Sequence, residues 1–136
     1  MRRTGRDREI RTKTCERKNI RDDITEKLKS LKAQVFSNPR PITYADLPAV
    51  FVSSSHEEVS LKAHPSLLKR ILDVTIQGFV TGEINDEMDR LISEIELALQ
   101  DISLDLQDIS FEYDALGQDL IGTFTMNFQI GYEEQK

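Results

Sequence analysis

Only one cysteine, Cys15, occurs among the 136 residues, so no internal disulfide can form and a secreted disulfide scaffold is excluded. A reducing compartment is the simplest home for such a chain. No apolar run in the sequence approaches the ~18–20 residues of a membrane helix, and none resembles a signal-peptide core. Glycine is scarce, and no glycines are spaced as a phosphate-cradling loop. His56 and His64 are the only histidines; they flank Glu57-Glu58 without the His-Glu-x-x-His spacing of a zinc helix. Ser53–Ser55 has no glycine elbow, so the strained turn of a serine hydrolase is missing. Cys15 has no histidine beside it in sequence to activate it as a nucleophile. These absences point away from an enzyme and away from a bound cofactor or metal.

What is present is charge, unevenly placed. The net charge is -6. Residues 1–20 carry a balance of +5, residues 21–82 a balance of +1, and residues 83–136 a balance of -12. Such asymmetry concerns partners and solubility more than fold. Residues 1–18 read as a basic flexible arm: Ile10 is their one branched aliphatic residue and they hold no aromatic, too little to order themselves. Arg2, Arg3, Arg6, Arg8 and Arg11 are the candidates for contact with an acidic partner, either nucleic acid or an acidic face of another subunit. Asp7, Glu9 and Glu16 repel phosphate and weaken the nucleic-acid alternative, a small regulator that would use this arm.

Residues 19–136 read as a single domain, in keeping with the usual domain size of about 100–150 residues. Ile20, Ile24, Leu28, Leu31 and Val35 recur at helical spacing, with Asn19 expected as N-cap and Asn38-Pro39-Arg40-Pro41 as the stop. Ala49–Val52 is a short buried strand after Pro48, and polar Ser53–Glu58 leaves the core. Leu68, Arg70, Leu72, Val74, Ile76 and Val80 share one face of a long strand, Lys69, Asp73, Thr75 and Gln77 the other; Gly78 marks a bulge. Met88, Leu91, Ile92, Ile95 and Leu99 form the stripe of a second helix with Asp86, Glu87 and Asp89 at its start. Ile109, Phe111 and Tyr113 alternate in one strand. Phe124, Met126, Phe128, Ile130 and Tyr132 alternate in another, and the turn Asp114–Asp119 makes the two a hairpin. The expected fold is α+β, a small mixed or antiparallel sheet with two helices packed on one face. Leu72, Val74, Ile76, Ile92, Ile95, Phe124, Phe128 and Ile130 are the expected core. Asp101, Ser103, Asp105 and Glu112 match calcium-loop spacing, but Leu106 stands where that loop requires glycine, and no exit helix follows.

The order of these elements resembles a known family. A helix around Ile24-Leu28-Leu31 leads to the strand Leu47-Pro48-Ala49-Val50-Phe51-Val52. A long strand with an early arginine follows, Arg70–Ile76, then the acidic helix Asp86–Leu99 and a last strand Thr125–Tyr132. Over about residues 19–132 this is similar to the tail terminator family of long-tailed phages, the minor tail protein U type. The resemblance implies a structural virion protein that forms a hexameric ring and caps the tail tube. Such a ring stops tube polymerisation and presents a head-joining surface to the connector protein. The implied partners are further copies of the chain, the tail tube protein, the head-completion protein, and DNA passing through the lumen without specific binding. The implied location is the head-proximal end of the tail, reached from the host cytoplasm during assembly. Polar loops at Ser55, His56, Glu57, Glu58 and at Asp114, Gln118, Asp119, together with the basic arm, are the expected contact segments, because loops vary without disturbing a sheet.

Overall fold

The computed structural model describes residues 5–61 and 67–135, with side chains for 16–60 and 68–133. The elements run α1 (Gly5–Leu28), β1 (Gln34–Phe36), a 3-10 turn (Tyr44–Asp46), β2 (Ala49–Leu61), β3 (Leu67–Val80), α2 (Ile84–Ala98), β4 (Asp105–Leu116) and β5 (Asp119–Gln135). One five-stranded sheet has the order β1-β2-β3-β5-β4. The β1–β2 pair is parallel and the other three pairs are antiparallel. The fold is therefore α+β with a mixed sheet and two helices.

Alternation decides which face is dry. Val50 and Val52 on β2, Leu72, Val74 and Ile76 on β3, and Phe124, Met126 and Phe128 on β5 are all buried. Against them pack Ile20, Ile24 and Leu28 of α1 and the whole expected stripe of α2 with its C-cap: Met88, Leu91, Ile92, Ile95 and Leu99. Both helices thus cover one face of the sheet, and burying these rows is what drives the fold. Of the eight expected core residues, seven are buried; Ile130 is partly buried and packs on the cluster's margin.

Four local expectations are corrected. The first helix starts at Gly5, not after Asn19, so the boundary between residues 18 and 19 falls inside α1. Arginine, lysine and glutamate favour helix without any apolar stripe, and no proline or glycine interrupts residues 6–28. Val35 belongs to β1, whose pairing with Val50 replaces the helical register. The polar run Ser53–Glu58 is not a loop: it lies within β2 and pairs with Ile71–Thr75 of β3. Its backbone groups are satisfied by the neighbouring strand, a long-range gain that side-chain polarity does not report.

Gly78 is the fourth. It sits in regular register between Val50 and Phe124, without a bulge. Its role is space: a Cβ at this position would lie 2.1 Å from Cζ of Phe124. The aromatic ring crosses the strand where only hydrogen stands. Gly78→Ala is expected to displace that ring and destabilise the fold by about 1–3 kcal/mol, read as a lowered urea midpoint with an unchanged slope. The bulge lies in β2, where register shifts between Ser54 and His56.

Candidate functional site

That bulge sets the chemistry of the helix-covered face. Before it, Val50, Val52 and Ser54 share the face of Gly78, Ile76 and Val74; after it, Glu57 and Val59 share the face of Leu72 and Arg70. One extra residue therefore reverses the phase and turns Glu57 inward. There its carboxylate accepts from three elements. Tyr132 Oη of β5 donates at 2.7 Å, Arg70 Nη1 of β3 at 2.8 Å, and Arg17 Nε of α1 lies 3.2 Å from both oxygens. Arg21 Nη1 of α1 donates to Ser54 Oγ at 3.0 Å.

The Glu57 and Arg70 side chains are only 13% and 16% exposed, so this is a half-buried, charge-assisted cluster rather than a surface pair. Burial pushes the Glu57 carboxyl up, but hydrogen bonds from Tyr132 and Arg70 and the two guanidinium charges outweigh it, and its pKa falls below the ordinary value. Tyr132 is pushed up to about 12, first by burial and then by its bond to the Glu57 carboxylate. The Glu57 charge raises Arg17 above its usual range. The arrangement fastens α1 to the sheet. Its carboxylate, phenol and guanidinium groups hold one another, and the opposite shifts keep Glu57 ionised and Tyr132 protonated at neutral pH.

The opposite face is open. Ser55, Asp73, Thr75, Asn127, Gln129 and Asp108 form a polar lattice across four strands. Asn127 Nδ2 donates to Asp108 Oδ1 at 2.6 Å, Thr75 Oγ1 donates to Asn127 Oδ1 at 3.1 Å and stands 3.3 Å from Ser55 Oγ, and Gln129 Nε2 donates to Asp73 Oδ1 at 3.0 Å. At one end of this face Phe36, Phe51 and Phe79 stack with centroids 5.1 and 5.7 Å apart, and Arg40 lies 4.7 Å over Phe36. A face both hydrogen-bonded and partly aromatic is suited to packing against another protein surface.

The sequence-picked residues do not converge on one site. Arg2 and Arg3 lie outside the described residues. Arg6, Arg8 and Arg11 lie on α1, their side chains outside the description. Ser55, His56 and Glu58 are exposed along β2, while Glu57 is held inward. The expected loop Asp114–Asp119 is shorter than the sequence suggested: Asp114 lies within β4 opposite Ile121, Asp119 opens β5, and only Gly117-Gln118 make the turn. Asp114, Gln118 and Asp119 are exposed at the far end of the sheet without forming one loop. There Gly117 has φ +67, as a two-residue hairpin with glycine at its first position requires. Arg17, Arg70 and Tyr132 went unrecognised as a group. The available signal was Arg70 in phase with an apolar strand face, since a charge there needs a partner.

Among the described residues, no three His, Cys, Asp or Glu side chains are grouped to hold a metal ion, and the Asp101–Glu112 segment runs into β4. No described helix is long and apolar enough to cross a membrane. Compared with known proteins, the chain matches no family profile and no curated sequence.

Proposed function

We propose that the protein is a structural ring subunit of the tail-terminator type, capping a phage tail tube and offering a head-joining surface. What supports the reading is the architecture: an N-terminal helix, parallel and antiparallel strands, an acidic second helix and a terminal hairpin, in the order the resemblance implies. The observation that carries it is the sheet itself. Both helices occupy one face, leaving the other as a broad, polar, hydrogen-bonded surface for neighbours. The acidic stretch after Glu83 fits a lumen through which DNA slides, because carboxylates repel phosphate. No catalysis is assigned to it. The partners are other copies, the tube protein, the connector and DNA in transit.

Termination needs one ring face complementary to the tube and another that accepts no further tube subunit. Deleting the gene from the phage or prophage that carries it is expected to give over-long tails or tails that fail to join heads, seen by electron microscopy. Normal-length tails attached to capsids in its absence would overturn the proposal.

A further inference from the structure

The helix-covered face is not covered throughout. α1 lies over β1 and β2 and α2 over β3 and β5, and among the described residues no helix lies squarely over the apolar row of β4. Phe111 and Tyr113, paired with Phe124 and Gly122, are 49% and 56% exposed, and Leu120 beside them is 57% exposed. The row is walled by α2, where Asn85 Oδ1 accepts from Tyr113 Oη at 2.6 Å. Helical spacing carries that wall on through Asp89 and Glu96, both exposed. A cleft of about 360 Å³ at its end is lined by Glu83, Asp86, Tyr113 and Leu120. Arg90, the one Lys or Arg between Glu83 and Gln135, is already engaged by Glu87 at 2.7 Å and Glu94 at 2.8 Å. This corner is apolar, acid-rimmed and short of cations of its own.

The complementary element lies elsewhere in the chain. Residues 5–14 extend α1 beyond its anchor at Arg17 and carry Arg6, Arg8, Arg11 and Lys13. The anchor fixes its direction: Arg17 meets Glu57 and Arg21 meets Ser54, so α1 runs antiparallel to β2. Its N-terminus therefore points toward the β2–β3 connection. From Arg17 back to Gly5 the helix spans about 18 Å, whereas Glu57 to Leu61 spans only about 13 Å, so the length of α1 beyond its anchor exceeds that of the described part of β2 beyond Glu57. The β4–β5 turn lies at the other end, since Val80 pairs with Gly122 while Leu61 pairs with Leu68. A continuous α1 runs away from its own β4 row.

We infer that the exposed β4 row and its acidic rim form the docking surface for the basic α1 extension of a second copy of this chain. The extension brings the positive charge of Arg6, Arg8, Arg11 and Lys13 to a surface that offers aromatic faces and carboxylates, both of which attract cations. Because the two surfaces differ and lie at opposite ends of the sheet, the contact is head-to-tail, the kind that closes into a ring when its rotation allows. The inference rests on the ring reading only for its biological setting, since copy-to-copy docking is measured without tails.

The test is a charge exchange in the full-length protein, read by sedimentation velocity at low salt. Arg6→Glu/Arg8→Glu/Arg11→Glu and Asp89→Lys/Glu96→Lys are each expected to dissociate the oligomer while circular dichroism shows the fold retained. Their equimolar mixture restores association, because the reversed helix of one then meets the reversed rim of the other. Phe111→Ser, at an exposed position, weakens self-association about tenfold or more. A monomeric wild-type protein at low salt, oligomers unaffected by either reversal, failure of the mixture to reassociate, or arginines that serve only to bind added duplex DNA would each overturn the inference.

Discussion

Phe124→Ala is expected to cost about 3–5 kcal/mol, the largest loss available from one core side chain. The ring is wholly buried, crosses Gly78 at distances no Cβ would permit and pairs through its backbone with Phe111 of β4. Removing it leaves a cavity that the strands cannot close, because Gly78 offers no side chain to fill it. Against a typical domain stability of about 5–15 kcal/mol, the variant is expected to be marginally folded at 37 °C. Urea unfolding followed by circular dichroism measures the loss. A change below 1 kcal/mol would place β5 in a different register, with its opposite face inward.

Glu57→Lys is the second large effect. Reversal removes the acceptor of Tyr132 and Arg70 and sets a third cation against Arg17 and Arg70. Breaking a buried pair typically costs 3–5 kcal/mol, and because this one keeps some solvent contact the expected loss is about 2–4 kcal/mol. Glu58→Lys, on an exposed neighbour, is expected to stay within about 0.5 kcal/mol. Equal small effects at both positions would remove the cluster as α1's fastening. The same groups set the pH range. The folded-state pKa of Glu57 is depressed, so its stabilisation is complete above the unfolded value near 4.3 and fades as pH falls through the lower folded value. Tyr132 is raised to about 12, so its contribution is complete below about 10 and fades as pH climbs from there. Glu57→Gln is expected to flatten the acid limb of the stability profile.

The contrast between Glu57 and Glu58 shows where the sequence was legible. The rows Leu72-Val74-Ile76 and Phe124-Met126-Phe128, and the stripe of α2, declare their faces by period alone, since each is set by local alternation and a single dry side. Glu57 depends instead on one bulged residue. Without it Glu57 would share the open face with Ser53 and Ser55; with it the carboxylate meets Arg70, thirteen residues away, and Tyr132, seventy-five residues away. Nothing local encodes that phase change. The start of α1 was hidden for a related reason: periodicity reads helix from an apolar stripe, and residues 5–18 carry only Ile10 as a branched aliphatic residue. Gly78 was misread because a glycine within a strand fits a bulge or a close approach equally well until the ring of Phe124 is placed against it.

The proposed function requires this chain to assemble into a closed ring. Native mass spectrometry of the purified full-length protein at low ionic strength tests it most directly. The expected result is one dominant species of defined copy number, six on the resemblance, giving way to the 15.6 kDa monomer as salt is raised. A spectrum holding only monomer at every salt concentration, or an open ladder of sizes without a preferred member, would contradict it.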